Sequence, residues 1–138
     1  MSLASDLAAT HARAMEDRPW SADEFTSLLS SPNVFLIGNP ICFALGRVAA
    51  DEAELLTLAT DPDNRRKGLA RAALTAFDTT AIVRGAKAAF LEVAANNGAA
   101  IALYLSKGWF ETGRRKGYYA FDRGKIDAVV MRRDLTPS

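Results

Sequence analysis

The stretch Arg65-Arg66-Lys67-Gly68-Leu69-Ala70-Arg71 gathers cations at the start of an amphipathic helix. A helix N-terminus favours negative charge, so Arg65, Arg66 and Lys67 oppose the free amides beside them unless an anion lies between. Gly68 has no side chain to block the approach of that anion to the backbone. The stretch reads as a seat for a diphosphate. Further along, Glu92 stands inside the apolar run Phe90-Leu91-Glu92-Val93. A carboxylate there is costly to bury without compensation. It is either a general base tuned by partial burial or a structural carboxylate paired with an arginine. Glu54, on a neighbouring strand, is a rival base. Tyr104 sits among Ile101, Leu103 and Leu105. A phenol keeps its proton at neutral pH, so Tyr104 is either a proton donor or a packing aromatic. Asn97 opens the same segment and caps it, unless Asn96 takes that role.

The elements that must position these residues follow from hydrophobic spacing. Leu3, Leu7, Ala8, His11, Ala14 and Met15 recur at helical intervals, and Pro19 stops that helix. Ser21 and Glu24 form a capping box ahead of a short second helix with Phe25, Leu28 and Leu29 on its buried stripe. Val34 to Ile37, Cys42 to Val48 and Glu54 to Thr60 read as strands joined by hairpin-length turns, hence antiparallel. After the turn Asp61-Pro62-Asp63-Asn64 and the cation cluster, Leu69, Ala72, Ala73, Ala76 and Phe77 give a long helix ending near Gly85. Ala88 to Ala94 is a nearly continuous apolar strand, as expected when both faces are covered. Strand, helix, strand is one right-handed βαβ unit with its two strands parallel. A helix from Asn97 to Ser106 closes at Gly108, and strands near Trp109 to Gly113 and Ile126 to Arg133 complete a mixed sheet.

The chain has 138 residues, 49% hydrophobic and 24% charged, which suits one domain spanning 1–138. No apolar run reaches bilayer length, so no membrane partner is expected. The N-terminus carries Asp6, Glu16 and Asp17 and lacks the pattern of a secretory signal. One cysteine, Cys42, and one histidine, His11, exclude an internal disulfide and argue against a metal site, which fits a reducing cytoplasm. The charge is uneven. Residues 1–60 hold three Lys/Arg against eight Asp/Glu, and residues 61–138 hold fourteen against eight. A small polyanionic ligand on the second half accounts for this, and chance distribution of solvated charge is the plainer alternative. Nucleic acid is not the expected partner, because the basic residues are not interleaved with stacking aromatics.

Strand, turn, Arg-x-x-Gly-x-Ala, helix, strand resembles the acyl-coenzyme A site of the GNAT N-acetyltransferase superfamily. Within it the chain is similar to the RimI-type enzymes, which acetylate the N-terminal amine of a ribosomal protein. The similarity runs along nearly the whole chain, through Pro19-Trp20-Ser21, Asp61-Pro62-Asp63, Arg65 to Ala70, Leu91-Glu92-Val93, Asn97 with Ala99 to Tyr104, Lys107-Gly108-Trp109-Phe110, Arg114-Arg115 with Tyr118-Tyr119, and Asp127-Ala128. Ala70 stands where many members have glycine. The resemblance implies an α/β (α+β) GNAT fold: a mixed, mostly antiparallel sheet with a central parallel pair and flanking helices. It implies that the strand ending Leu58-Ala59-Thr60 splays from its parallel neighbour and leaves backbone groups for the pantetheine amides. It implies a cosubstrate, acetyl-CoA, held by Leu58, Ala59, Thr60, Arg65 to Arg71, Asn97 and Tyr104, with no metal. Glu92 is then the base, acting through water, and Tyr104 the acid for the departing thiolate. A backbone N–H near Val93 or Ala94 polarises the thioester carbonyl. Cys42, in a distant strand, suits no covalent step.

The expected activity is direct acetyl transfer to a primary amine, a protein N-terminus, through a tetrahedral intermediate. An α-amino group, with a pKa of about 7.7–8.0, needs only a modest base. The alternatives are a small-molecule amine acetyltransferase of the same fold and a non-catalytic acyl-CoA-binding module. Tyr118 and Tyr119 either shape the acceptor cleft or pack the last hairpin. Trp109 and Phe110 read as core, His11 as a helix-face residue without a catalytic part, and Trp20 as an anchor of the first helices or a packing residue.

Overall fold

The computed structural model describes residues 2–15, 18–121 and 124–135, the last two of the middle segment as backbone only. Glu16 and Asp17, two of the N-terminal acids noted above, lie outside the described residues. Helix α1 (Leu3–Ala14) begins where the Ser2 hydroxyl accepts the Ser5 N–H, and it ends well before Pro19 because Met15 is already extended. Helix α2 (Ala22–Leu29) has the expected capping box: the Ser21 hydroxyl accepts the Glu24 N–H and the Glu24 carboxylate accepts the Ser21 N–H. Strands β1 (Val34–Asn39), β2 (Cys42–Ala49) and β3 (Glu52–Thr60) form an antiparallel meander. A single 3₁₀ turn, Pro62–Asn64, leads to α3 (Leu69–Val83), β4 (Ala88–Ala94) and α4 (Gly98–Ser106). Strands β5 (Phe110–Phe121) and β6 (Gly124–Asp134) end the chain in the order β1-β2-β3-β4-β6-β5. Among the described residues only β3 and β4 run parallel, as the βαβ reading requires.

Strand β5 is longer than the Trp109 to Gly113 segment expected. It continues past Gly113 through two irregularities in its pairing with β6, at Glu111/Gly113 and Arg115/Tyr119. Its polar, glycine-interrupted sequence hides the strand because β5 is the outer strand of the sheet and little of it is buried. Phe110 is a related correction. It stands 44% exposed and not in the core, while Trp109 beside it is 2% exposed.

The sheet is covered on both faces. Helices α3 and α4 bury Leu74, Phe77 and Tyr104 against Leu91, Val129 and Met131 on one face. Helices α1 and α2 bury Leu7 and Phe25 against Phe43, Leu45 and Ala59 on the other. Gly46 is needed between them: a Cβ there would stand 2.4 Å from the Phe35 ring. On the face that α3 covers, Arg133 of β6 pairs with the buried Asp78 of α3 at 3.0 Å and donates to the Lys107 carbonyl.

The feature that shapes the site is a bulge. Leu45 pairs with Thr57 and Gly46 with Leu55, so Leu56 is one residue too many on β3. A bulge bends and twists its strand. It falls where β3 leaves its parallel neighbour: pairing runs from Glu52↔Ala88 to Glu54↔Phe90 and no further. A gap therefore opens between residues 55–60 of β3 and residues 91–94 of β4.

His11 seals the opposite side of that bent strand. Its Nδ1 accepts the Trp20 N–H at 3.0 Å, and its Nε2 lies 3.1 Å from the Thr57 hydroxyl. The ring stacks on Trp20 at 5.0 Å and meets Phe25 edge-on. Burial lowers its pKa to about 4, with Glu24 opposing. The neutral ring then carries its proton on Nε2 and donates to Thr57. Because the folded value lies below the unfolded 6.5, the unfolded chain binds the proton first and stability falls as pH drops. His11 is the one histidine in the chain. The window from pH 6.5 to pH 5 lies above the ordinary carboxylate range, and the Asp78 carboxyl, which burial raises, acts with the opposite sign as pH falls. We expect His11 to cost about 1.5 kcal/mol across that window in urea titrations. A flat profile there would show that His11 is protonated in the fold.

Candidate active site

The cation loop is fixed from both ends. Asp61 caps the 3₁₀ turn by accepting the Asp63 N–H. Arg13 of α1 bridges Asp61 at 2.9 Å and Asp63 at 3.0 Å. Arg65 reaches back to the Ala14 carbonyl, and Lys67 donates to the Asn64 side chain at 3.1 Å. The backbone is left-handed at Arg66, with φ of 65°, and at Gly68, with φ of 76°. Gly68 opens α3, whose first amides have no side-chain cap and whose first turn holds no acid. Such amides attract an anion.

Thr60 at the end of β3, the loop residues Arg65 and Arg66, the helix start Gly68-Leu69-Ala70-Arg71, and Ala99 and Leu103 of α4 surround a cleft of about 330 Å³. The structure thus brings Thr60, Arg65, Arg66, Gly68, Leu69, Ala70 and Arg71 together. Lys67 is held by Asn64 and does not line this cleft. Leu58 packs toward the core under α3 and α4, while Ala59 is buried in the opposite one, so only its backbone can serve a ligand at the gap. Arg71 donates to the Ser106 hydroxyl at 2.9 Å and ties α3 to α4. Asn97, and not Asn96, caps α4 by accepting the Ala100 N–H. Cys42 lies closer than expected. Its pairing with Thr60 in the sheet brings the buried thiol within 3.3 Å of the Thr60 hydroxyl, beside the cleft and not remote from it.

Glu92 lies on the other face of the sheet from α3 and α4. Its carboxylate is 25% exposed and pairs with Arg115 of β5 at 3.0 Å. Glu92 thus has the arginine partner of the structural reading, but that arginine is itself 58% exposed. Glu54 shares this face, two residues back in register, and pairs with Arg47 at 2.7 Å. Glu52, Glu54, Phe90, Glu92 and Val130 line a second hollow of about 230 Å³ here. Tyr104 approaches from α4. It is 7% exposed and packs on Trp109 with 6.0 Å between ring centres. Burial, with a smaller contribution from Tyr119, pushes its phenol well above the ordinary value. Tyr118 is 53% exposed and meets Tyr119 edge-on at 5.1 Å.

Two residues of the site were not singled out by sequence. Arg13 was an ordinary helix cation until the fold placed it against Asp61 and Asp63. Arg115 was one of a basic pair, and its partner lies 23 residues away, across the intervening strand β6. Trp20 packs between His11 and Phe25. Among the described residues no cluster of His, Cys, Asp or Glu could hold a metal, and no helix is long and apolar enough to cross a membrane.

Comparison with known proteins agrees with this geometry. The model of the Acetyltransferase (GNAT) family matches residues 4–109. The ribosomal protein bS18-alanine N-acetyltransferase of Escherichia coli is 41% identical over 117 residues, covering 82% of this chain and 79% of that protein. The N-alpha-acetyltransferase RimI of Mycobacterium tuberculosis is 34% identical over 127 residues, covering 86% of this chain and 77% of that one. The crystal structure of the Escherichia coli S18-alanine enzyme superposes with a TM-score of 0.89 at 34% identity, over 98% of this chain and 89% of that chain. The splayed strand pair and uncapped helix start thus have their explanation: the chain belongs to the GNAT family of acetyl-CoA-dependent N-acetyltransferases.

Proposed function

We propose that this enzyme acetylates the α-amine at the N-terminus of a protein, a ribosomal protein beginning with alanine. The observation that carries this reading is the gap between β3 and β4, flanked by the diphosphate seat on one side and by Glu92 on the other. The relatives named for bS18 alanine supply the acceptor. An acceptor of that kind puts the work in the cytoplasm.

The amides opening α3, with Arg65, Arg66 and Arg71, would hold the diphosphate. The unpaired backbone of Leu58 to Thr60 would hold the pantetheine arm as an added strand. Glu92 takes the proton of the attacking amine, through water. A backbone N–H near Val93 or Ala94 would face the developing oxyanion. Tyr104 gives its proton to the departing thiolate, and solvent returns both groups to their starting states. Acetyl-CoA supplies the activated acyl group.

A thiol-release assay with a panel of amines tests the assignment. Peptides starting Ala-Arg should have the highest kcat/KM. N-blocked peptides bearing lysine should be at least about a hundredfold slower, since an amine of pKa about 10.4 asks far more of the base than one near 8. A free small amine outrunning every peptide would make this a small-molecule enzyme. Absence of turnover with all of them would reduce the chain to a binding module.

A further inference from the structure

Arg115 has no part in the transfer as described, yet it holds the carboxylate on which the transfer depends. Its guanidinium lies 3.0 Å from Glu92 Oε1. An ion pair this open to solvent is weak. The arginine is 58% exposed, so it can leave without crossing packed protein. While paired with Glu92, the same guanidinium lies over the Tyr118 ring, 5.2 Å from its centre. A cation on an aromatic face is favourable by itself.

The strand is built to keep Arg115 and Tyr118 together over this face. Between Arg115↔Ala128 and Tyr119↔Ile126, three residues of β5 stand against one of β6, Asp127. The Asp127 carboxylate accepts the Gly117 N–H at 2.9 Å, and Gly117 has a φ of 60°. The Asp127 carbonyl accepts the Ala95 N–H at the end of β4. One aspartate thus clamps the bulge to the strand that carries Glu92.

A protein α-amine, with a pKa of about 7.7–8.0, arrives largely as an ammonium at neutral pH. It needs the carboxylate that Arg115 holds. We propose that Arg115 is an exchangeable counter-ion of Glu92, displaced from the carboxylate by the incoming ammonium of the acceptor while its contact with Tyr118 keeps it at the site. The site then keeps one positive charge on Glu92 before and after the acceptor binds. Arg115 is a positioning residue acting through Glu92, and this role rests on the reading of Glu92 given above.

The test is Arg115→Met, which keeps the unbranched stem and removes the charge. Freed of its competitor, Glu92 should draw the ammonium more strongly. The KM for an Ala-starting peptide should fall about two- to fivefold, the range of an exposed ion pair, with kcat nearly unchanged. That KM should rise with salt between about 50 and about 300 mM, while the wild-type KM stays nearly flat, because only the variant gains net attraction. Arg115→Lys should restore the wild-type values. A KM that is unchanged or raised in Arg115→Met overturns the exchange. So does an equal fall in KM when Arg115→Met is combined with Glu92→Gln, since the effect would then not pass through Glu92. The turnover of Glu92→Gln alone decides the other question. A wild-type rate at neutral pH would remove Glu92 as base and leave the KM result to judge the counter-ion.

Discussion

Tyr104→Phe should leave acetyl-CoA affinity within about twofold and lower kcat at least tenfold, within the range of about 10²–10⁴ that a positioned acid contributes. The substitution removes one oxygen and keeps the ring against Trp109, where packing holds α4 to the sheet. Burial works in two directions here. It raises the Tyr104 phenol and so keeps the proton in place between turnovers. Taken alone that makes a poorer donor. In the proposed mechanism the departing thiolate shares that enclosure, where loss of water would raise its affinity for a proton as well. On that reading the two stay matched, and transfer becomes favourable only as the thiolate forms. Single-turnover kinetics would separate this step from product release. If Tyr104→Phe keeps the wild-type rate with its best peptide, Tyr104 is a wall of the thiol pocket and the proton comes from water.

Gly68→Val should weaken acetyl-CoA binding at least about a hundredfold while the fold survives. The reason is conformational. A Cβ on Gly68 meets nothing within 4 Å, so no neighbour forbids it. The backbone, at φ of 76°, does. An L-residue pays roughly 1–2 kcal/mol there, and a β-branched one more. The loop relieves this by leaving the left-handed region, which turns away the first amides of α3. Helix α3 stays in place because Leu74 and Phe77 are fully buried under it. Gly68→Ala should fall between the two. Calorimetric titration with acetyl-CoA checks the series, and full affinity in a folded Gly68→Val variant would remove the diphosphate seat from this loop.

The local parts of this architecture were legible in the sequence. The Ser21/Glu24 capping box, the apolar run Ala88 to Ala94 and the cation loop are each decided by a few neighbouring residues. The wider parts were not. Nothing near Gly113 announces that β5 runs on to Phe121, because an outer strand needs no alternating apolar face. Phe110 looks like core until β6 is known to slot between β4 and β5. The contact of Arg115 with Glu92 depends on the register of two strand pairs, and that of Cys42 with Thr60 on a hairpin. The roles proposed for Glu92 and Tyr104 rest on the family resemblance, while the pairing of Arg115 with Glu92 is visible only in three dimensions.

The bulge at Leu56 has a cost beyond shaping the gap. It leaves two inward-facing strand edges in the middle of a sheet, the place where most proteins have their slowest-exchanging amides. Residues 55–60 and 91–94 are therefore a built-in weak seam, joined across only by Glu52 to Glu54 and Ala88 to Phe90. A pantetheine arm bound as proposed, as an extra strand in the seam, would be a structural member of the fold as well as a reactant. By mass action it adds about 2.7 kcal/mol at a hundred times its dissociation constant. The enzyme's resistance to unfolding and proteolysis is thus coupled to the supply of acetyl-CoA, and a cell short of acetyl groups would hold this protein in its most perishable form.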